Sequence, residues 1–324
     1  MAYPNDYFTS SMNGAPNVIG PAAMRAVPIH VHRGYLLAKR NRGLIATHCY
    51  RDAEDAFANV GQTVQIVKAS WPTQTYDLVD GAAIVNDDTY EVGVNLTLDH
   101  YRTTTIGKTQ IAQTIANPVA WAATIAGRMA RLANDIEADI VAIAQIGFLN
   151  VAGTPGVALN AGTLADARYE LAEDRTPLPE ISGHLAPRAY RQALNSVILT
   201  SNFILGTGAS PVSTGGHQGS QAVLDGYGHP YFENNAIGDT SWGTATATYN
   251  LLFHPMALCF ASRKVAPPMF QHGGVSMEYV NVDGLQFSIT YQWQPTYLAE
   301  QIVIGCLYGA AVGRGEWGCV VRAQ

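Results

Sequence analysis

The sequence predicts an α+β fold in which β-strands flank one long helix. Three observations carry this. Asn117 to Phe148 holds a helical apolar period without a break. Tyr90 to Asp99 alternates apolar and polar residues, the pattern of a half-buried strand. After residue 275 the pattern returns to β. There Leu285, Phe287, Ile289, Tyr291 and Trp293 alternate with Gln286, Ser288, Thr290 and Gln292. The run from Glu300 to Val312 is more continuously apolar, as in a strand covered on both faces.

In chain order, residues 1–48 are expected to be irregular, because Pro4, Pro16, Gly20, Pro21 and Pro28 interrupt any long element. Their Val, Ile, Leu and Tyr content argues against full disorder, so this arm is expected to lie on another surface. Val64 to Trp71 reads as one strand, and the alternating stretch after Tyr90 as its partner. The Pro72-to-Asp88 segment between them has the residues of a loop. A hairpin alone is marginal in water, so this excursion needs a neighbour to lie on.

The long helix opens with Asn117 as a cap and Pro118 at the first helical position. Trp121, Ile125, Met129, Leu132, Ile136, Ile140 and Ile143 follow in three- and four-residue steps, which makes one apolar stripe. At 1.5 Å per residue such a helix spans roughly 45 Å. With no second heptad run in the chain, it is expected to lie across a sheet. Arg131 and Asp135 stand four apart and can pair. Residues 149–264 read as a mixed region. Thr163–Asp174 and Ala186–Ile198 are expected helices, Leu205–Ser220 a Gly/Ser-rich loop, Thr244–Phe253 a strand, and His254–Arg263 a short helix opened by Pro255.

Charged residues make up only 14% of the chain and hydrophobic residues 48%, against roughly 25% charged in an average soluble domain. A surface so poor in charge fits one covered by partner chains, although an apolar monomer would have the same composition. The net charge of −6 and the absence of a Lys/Arg run argue against sequence-specific nucleic-acid binding. The cysteines Cys49, Cys259, Cys306 and Cys319 form no C-x-x-C pair and read as small buried thiols of a reducing compartment. No secretory signal pattern and no membrane-length apolar run are present, so synthesis in the cytoplasm without membrane insertion is expected.

Chemical motifs are weak. Gly107-Lys108-Thr109 has the end of a P-loop, but Arg102 stands where the first glycine is needed. His30 and His32 would share one face of a strand and make half a metal site; hydrogen-bonded or solvated histidines are the plainer reading. Asp135, Glu137 and Asp139 offer a possible carboxylate pair in Asp135 and Asp139, against a plainer solvated or Arg-paired face. Arg314 and Glu316 read as polar groups at a sheet end. No cofactor or metal site is expected.

The order of elements, together with four stretches, resembles the major capsid proteins of tailed bacteriophages, which have the HK97-like fold. The nearer likeness is to the P22-type coat protein branch. The stretches are RGLIATHCYRDAEDAFANVGQTVQIVKAS (Arg42–Ser70), the helix after Asn117-Pro118, AVLDGYGHPYFENN (Ala222–Asn235) and IVIGCLYGAAVGRGEWGCVV (Ile302–Val321). The resemblance implies an N-terminal arm at 1–48, an E-loop and its approach at 49–108, and the spine helix of a P-domain at 109–148. It implies an A-domain at 149–264 and return strands of both domains at 265–324. The large A-domain insertion of the P22-type coat is absent or reduced, because Leu149 to Arg263 leaves little room for it. Gly313 and Gly315 flank Arg314 where the family often has Arg-Pro-Glu, and nothing identifies a Lys–Asn cross-link.

The resemblance implies self-assembly through pentamers and hexamers into an icosahedral virion shell made in the host cytoplasm. The implied partners are further copies of the chain, a scaffolding protein, a portal, a decoration protein and, non-specifically, packaged double-stranded DNA. Candidate interface residues are the aromatics Trp71, Tyr90, Tyr227 and Tyr231. The charged candidates are Arg102, Arg128, Arg131, Asp135, Arg314 and Glu316. The competing expectation is a two-part α/β enzyme with a cleft near residues 226–235, using His229, Tyr231 and Glu233 for acid–base work.

Overall fold

The computed structural model describes residues 21–40, 44–51, 63–69, 91–109, 118–195, 212–213, 223–226, 229–242, 245–267, 276–294 and 299–324. Trp71, Tyr90, Asn117, Tyr227 and most of the Gly/Ser-rich loop lie outside these residues.

The described residues begin with helix α1 (Pro21–Arg40), which corrects the expectation of irregular structure over that stretch. Pro28 lies inside it and removes one helical N–H. Tertiary packing outweighs that loss. Val27, Val31 and Tyr35 recur every fourth residue and are buried. His30 and His32 sit on this helix, about 200° apart around its axis, so they share no face.

Strand β1 (Thr63–Ala69) pairs antiparallel with β2 (Glu91–Thr97), forming the two-stranded excursion that the alternation predicted. The strand breaks at Leu98 and Asp99 and resumes as β3 (His100–Thr109), which joins a different sheet. Gly107 therefore lies in a strand and not in a phosphate loop. The long helix α2 spans Pro118–Gly147 and its 30 residues match the predicted strut. Ile125, Met129, Leu132, Ile136 and Ile140 are buried along its stripe.

After α2 come β4 (Asn150–Ala152), helix α3 (Ala161–Glu173), β5 (Ser182–Leu185) and helix α4 (Pro187–Leu194). Asn160 caps α3 by accepting the Thr163 N–H at 2.9 Å. Strands β6 (Val212–Ser213), β7 (Val223–Gly226), β8 (His229–Glu233), β9 (Asp239–Trp242) and β10 (Ala245–Phe253) follow. The expected helix at 254–263 is instead one 3-10 turn, Pro255–Ala257, and then β11 (Leu258–Arg263). A short apolar run has the same periodicity as a buried helix or a buried strand, and pairing with a neighbouring strand decided between them. The chain closes with β12 (Ser276–Val282), β13 (Leu285–Gln294), β14 (Ala299–Val312) and β15 (Gly318–Ala323).

Among the described residues two main sheets form. The five-stranded sheet is centred on β14. β3 runs along one edge of β14, and β13 and then β11 run along the other. The eight-stranded sheet runs β4-β15-β10-β5-β8-β7-β6, with β9 also on β10. Besides the passage through α2, two short crossings between the sheets are described, at 254–258 and at 313–317. The crossings are tied together by Gly313 N–H to Ala257 O at 2.9 Å, Arg314 N–H to Met256 O at 3.0 Å and His254 N–H to Trp317 O at 3.1 Å. One continuous core links both sheets through α2.

Gly309 permits the close crossing of β14 by the β2–β3 break, because a Cβ there would lie 2.0 Å from the Thr97 carbonyl oxygen. Backbone cannot yield as a flexible side chain can. Gly309→Ala is expected to lower stability by about 2 kcal/mol or more in urea unfolding, through overpacking at this crossing. A loss below about 0.5 kcal/mol would show that the crossing is loose.

Candidate functional site

The polar groups that join elements cluster on α2. Arg102 on β3 donates two hydrogen bonds to Asp139, at 2.9 and 2.7 Å. Tyr308 on β14 donates to the same carboxylate. Burial alone would raise the Asp139 carboxyl, but the bonds from Arg102 and Tyr308 hold it below the usual carboxylate range. His100 stacks on Tyr308 with ring centroids 5.5 Å apart. Arg131 and Asp135 form the expected i,i+4 pair at 2.9 Å. Asp135 and Asp139 therefore each have an arginine partner, which is the plainer, Arg-paired reading of this face.

Glu137, the middle residue of the acidic trio, is the one turned inward. It is 3% exposed. Its carboxylate accepts the Ile45 N–H at 2.7 Å and the Ala46 N–H at 3.2 Å, at the start of the 3-10 turn Ile45–Thr47. The Asn234 amide approaches at 3.5 Å. Burial pushes the carboxyl up to about 7, against the pull of these donors. Its place was readable: Ala133, Glu137 and Val141 form a second buried row beside the main stripe.

His184 on β5 is fully buried, and neither ring nitrogen has a partner among the described residues. It packs between Phe232 and Phe253, with His48 edge-on at 5.1 Å. Burial, and then the nearby His48, hold its pKa well below the usual range. Nothing in the sequence pattern marked this residue.

Of the other candidate residues, Arg128 is exposed on α2. Arg102 is committed within the chain to Asp139. Tyr231 is corrected as a contact residue: its side chain is completely buried within the subunit. Arg314 is also largely buried, with its guanidinium 4.4 Å over the Trp317 ring and 4.0 Å from Glu316. His229 and Tyr231, offered for acid–base work, are sealed in the sheet, while Glu233 is half-exposed. All four cysteines are buried and free, as predicted. Among the described residues no cluster of three or more His, Cys, Asp or Glu could hold a metal. No described helix is long and apolar enough to cross a membrane.

Apolar surface gathers where α2 ends. Ile146 is 87% exposed and Leu149 71%, and Val151 is exposed on β4. β4 pairs only with β15, so its other edge is open among the described residues.

No family model matches the chain, and no curated protein matches it. Solved structures do. The chain is similar to a structure described as Mycobacterium phage Che8, with 17% identity, TM-score 0.58, and coverage of 86% of this chain and 91% of that one. It is similar to the capsid of Cyanophage P-SCSP1u, with 13% identity, TM-score 0.56 and 86% coverage of each chain. It is also similar to the SrpI encapsulin complex of Synechococcus elongatus, with 11% identity, TM-score 0.51, and coverage of 86% and 85%. The chain has the HK97-like capsid fold.

The Arg102–Asp139 pair is half-exposed, and a double-mutant cycle with alanine at both positions is expected to give a coupling of roughly 1 kcal/mol, reduced by salt. Because its folded pKa is depressed, Asp139 stabilises at neutral pH and that contribution is lost as pH falls through the folded value. Asp139→Asn should flatten this acid limb of the urea midpoint. An unchanged limb would place the pH dependence elsewhere.

Proposed function

We propose that this chain is the repeating subunit of a protein shell, the major capsid protein of a tailed bacteriophage. It assembles through pentamers and hexamers into an icosahedral capsid around double-stranded DNA. The observation that carries the reading is the agreement of fold over nearly the whole chain with a phage capsid, 86% of both chains. The resemblance noted in the sequence supports it independently, and the P22-type branch is its narrower part, resting on the quoted stretches alone.

In this reading α2 is the spine helix, the five-stranded sheet with α1 and α2 the P-domain, and the eight-stranded sheet the A-domain. The β1–β2 arm is the E-loop. It forms a separate two-stranded sheet with both outer edges open among the described residues, which fits an arm laid on a neighbouring copy. The low charge content and the exposed apolar end of α2 suit a surface that other copies cover. Heterologous contacts repeated around closed symmetry then build the shell. Scaffolding, portal and decoration proteins are the further partners, and the virion capsid is the location. The subunit acts structurally, with no catalytic role.

The encapsulin complex among the similar structures favours a second reading, a shell that is not a virion. Contents separate the two. A capsid assembled in infected cells protects DNA from nuclease, and the second reading requires nuclease-protected DNA to be absent from shells isolated from their source.

Negative-stain electron microscopy of the protein expressed alone, beside size exclusion at two salt concentrations, is expected to show shells, tubes or capsomer rings. A small monodisperse oligomer in every condition, and again on co-expression with the scaffolding protein, overturns the proposal. Arg128→Glu should reduce assembly yield while leaving the circular dichroism spectrum unchanged, as a charge reversal at a subunit contact does. Unchanged yield and particle shape would remove Arg128 from the working contacts.

A further inference from the structure

Helix α1 has a charge distribution unlike that of the whole chain. The chain has 25 Asp and Glu against 19 Lys and Arg. The 20 residues of α1 hold Arg25, Arg33, Lys39 and Arg40 and no carboxylate. At about 100° per residue these four positions fall within about 120° of the helix circumference. Val27, Val31 and Tyr35 lie on the other side and are buried. Ile29 and Leu36 fall inside the cationic arc and are 55% and 40% exposed, so this side of the helix meets solvent. From Arg25 to Arg40 the arc runs about 22 Å along the axis.

The fold gives this charge a side. Tyr35 of α1 packs on Phe287 of β13, with ring centroids 5.9 Å apart, and Tyr308 of β14 donates to Asp139 of α2. Phe287 pairs with Cys306, two residues before Tyr308, so both helices cover the same face of the five-stranded sheet. Asp135, Asp139 and Glu278 on this side are engaged by Arg131, Arg102 and Tyr291. Glu300 stands opposite Lys108 in the β3–β14 register, and Glu137 is inside the core. The opposite face of the sheet presents Tyr101, Thr103, Thr105, Thr290 and Gln301, with no charge along β3, β13 or β14.

We infer that the solvent side of α1 is the subunit's contact with double-stranded DNA, made to phosphates without reading bases. That this DNA is the packaged genome rests on the shell reading. A row of cations gains affinity from the counterions it releases, and that gain carries no sequence information. Outside α1 acidic residues outnumber basic ones more strongly still, so the rest of the chain repels phosphate. An acidic protein segment is the competing partner. It would use Ile29 and Leu36 as an apolar centre, but two side chains beside four cations leave charge dominant on this face.

Fluorescence anisotropy of a labelled duplex, with unassembled full-length protein taken from size exclusion, tests this. Four phosphate contacts give roughly a hundredfold loss of affinity between 50 and 200 mM salt. Arg33→Gln should lower the slope of log affinity against log salt by about 1. Arg25→Gln, Arg33→Gln and Arg40→Gln together should remove most of the affinity and leave the circular dichroism spectrum unchanged. Arg188→Gln, on the exposed side of α4, should change neither affinity nor slope. Two duplexes of unrelated sequence should bind within about twofold of each other, and Ile29→Ser with Leu36→Ser should stay within the same range.

Binding without salt dependence, or a slope that the α1 variants leave unmoved, overturns the inference. So does poly-glutamate binding that is tighter than duplex binding and is lost in Ile29→Ser with Leu36→Ser, because the face is then a protein contact. Electron microscopy of the same proteins separates this from the shell reading. Particles from native protein, with α1 variants that bind DNA as native does, overturn the DNA surface alone. The expected salt slopes, without particles in any condition, overturn the shell alone.

Discussion

The buried stripe of α2 is the constraint on which the other elements depend. A helix of 30 residues offers one continuous apolar surface, and α1 and strands of both sheets share it. Its first turns pack on α1, where Gly34 brings the helices close: a Cβ at Gly34 would stand 2.6 Å from the Ala126 carbonyl oxygen. Its middle lies on β3 and β14. Its end reaches the other sheet, with Gln145 donating to the Tyr249 carbonyl at 2.9 Å and the Phe148 ring 5.7 Å from Phe253. Both sheets pack on this helix, which joins them in one core.

Polar groups buried along this junction must be paired, since an unpaired one loses its water without replacement. Asn250 shows the rule kept: its side chain accepts the Ala186 N–H at 2.7 Å and donates to Val321 O at 3.0 Å, tying β15 and the start of α4 to β10. Glu137 keeps it by accepting the Ile45 and Ala46 N–H groups, at a cost in desolvation. His184 departs from it and stays neutral. The two groups lie on either side of one short segment, residues 44–51.

The surface carries a different economy of contacts. Arg102, Asp139 and Tyr308 tie β3 and β14 to α2 on the solvent side, where such a pair contributes modestly and salt weakens it. The exposed apolar residues at the end of α2 and the open edges of the β1–β2 arm and β4 are the features that a second copy would cover.

The sequence by itself determined the long helix, the β1–β2 excursion, the β13 and β14 strands and the α+β class. Each rests on a periodicity that holds over many residues, and local physics is sufficient for those. It also placed Arg131 with Asp135, because helical spacing alone brings them together. Tertiary structure decided what local pattern left open. Pro21 and Pro28 read as breakers, yet burial of Val27, Val31 and Tyr35 makes α1 a helix, with Gly34 against α2 and Tyr35 against Phe287 of β13. Leu258–Arg263 became a strand because β14 offered it hydrogen bonds. Glu137 and Asp139 are two residues apart on one helix. One faces the core and caps a turn whose residues lie about ninety positions earlier in the chain and the other faces Arg102. Only the folded chain separates them, since burial and partners distant in sequence set a carboxylate's role and composition does not.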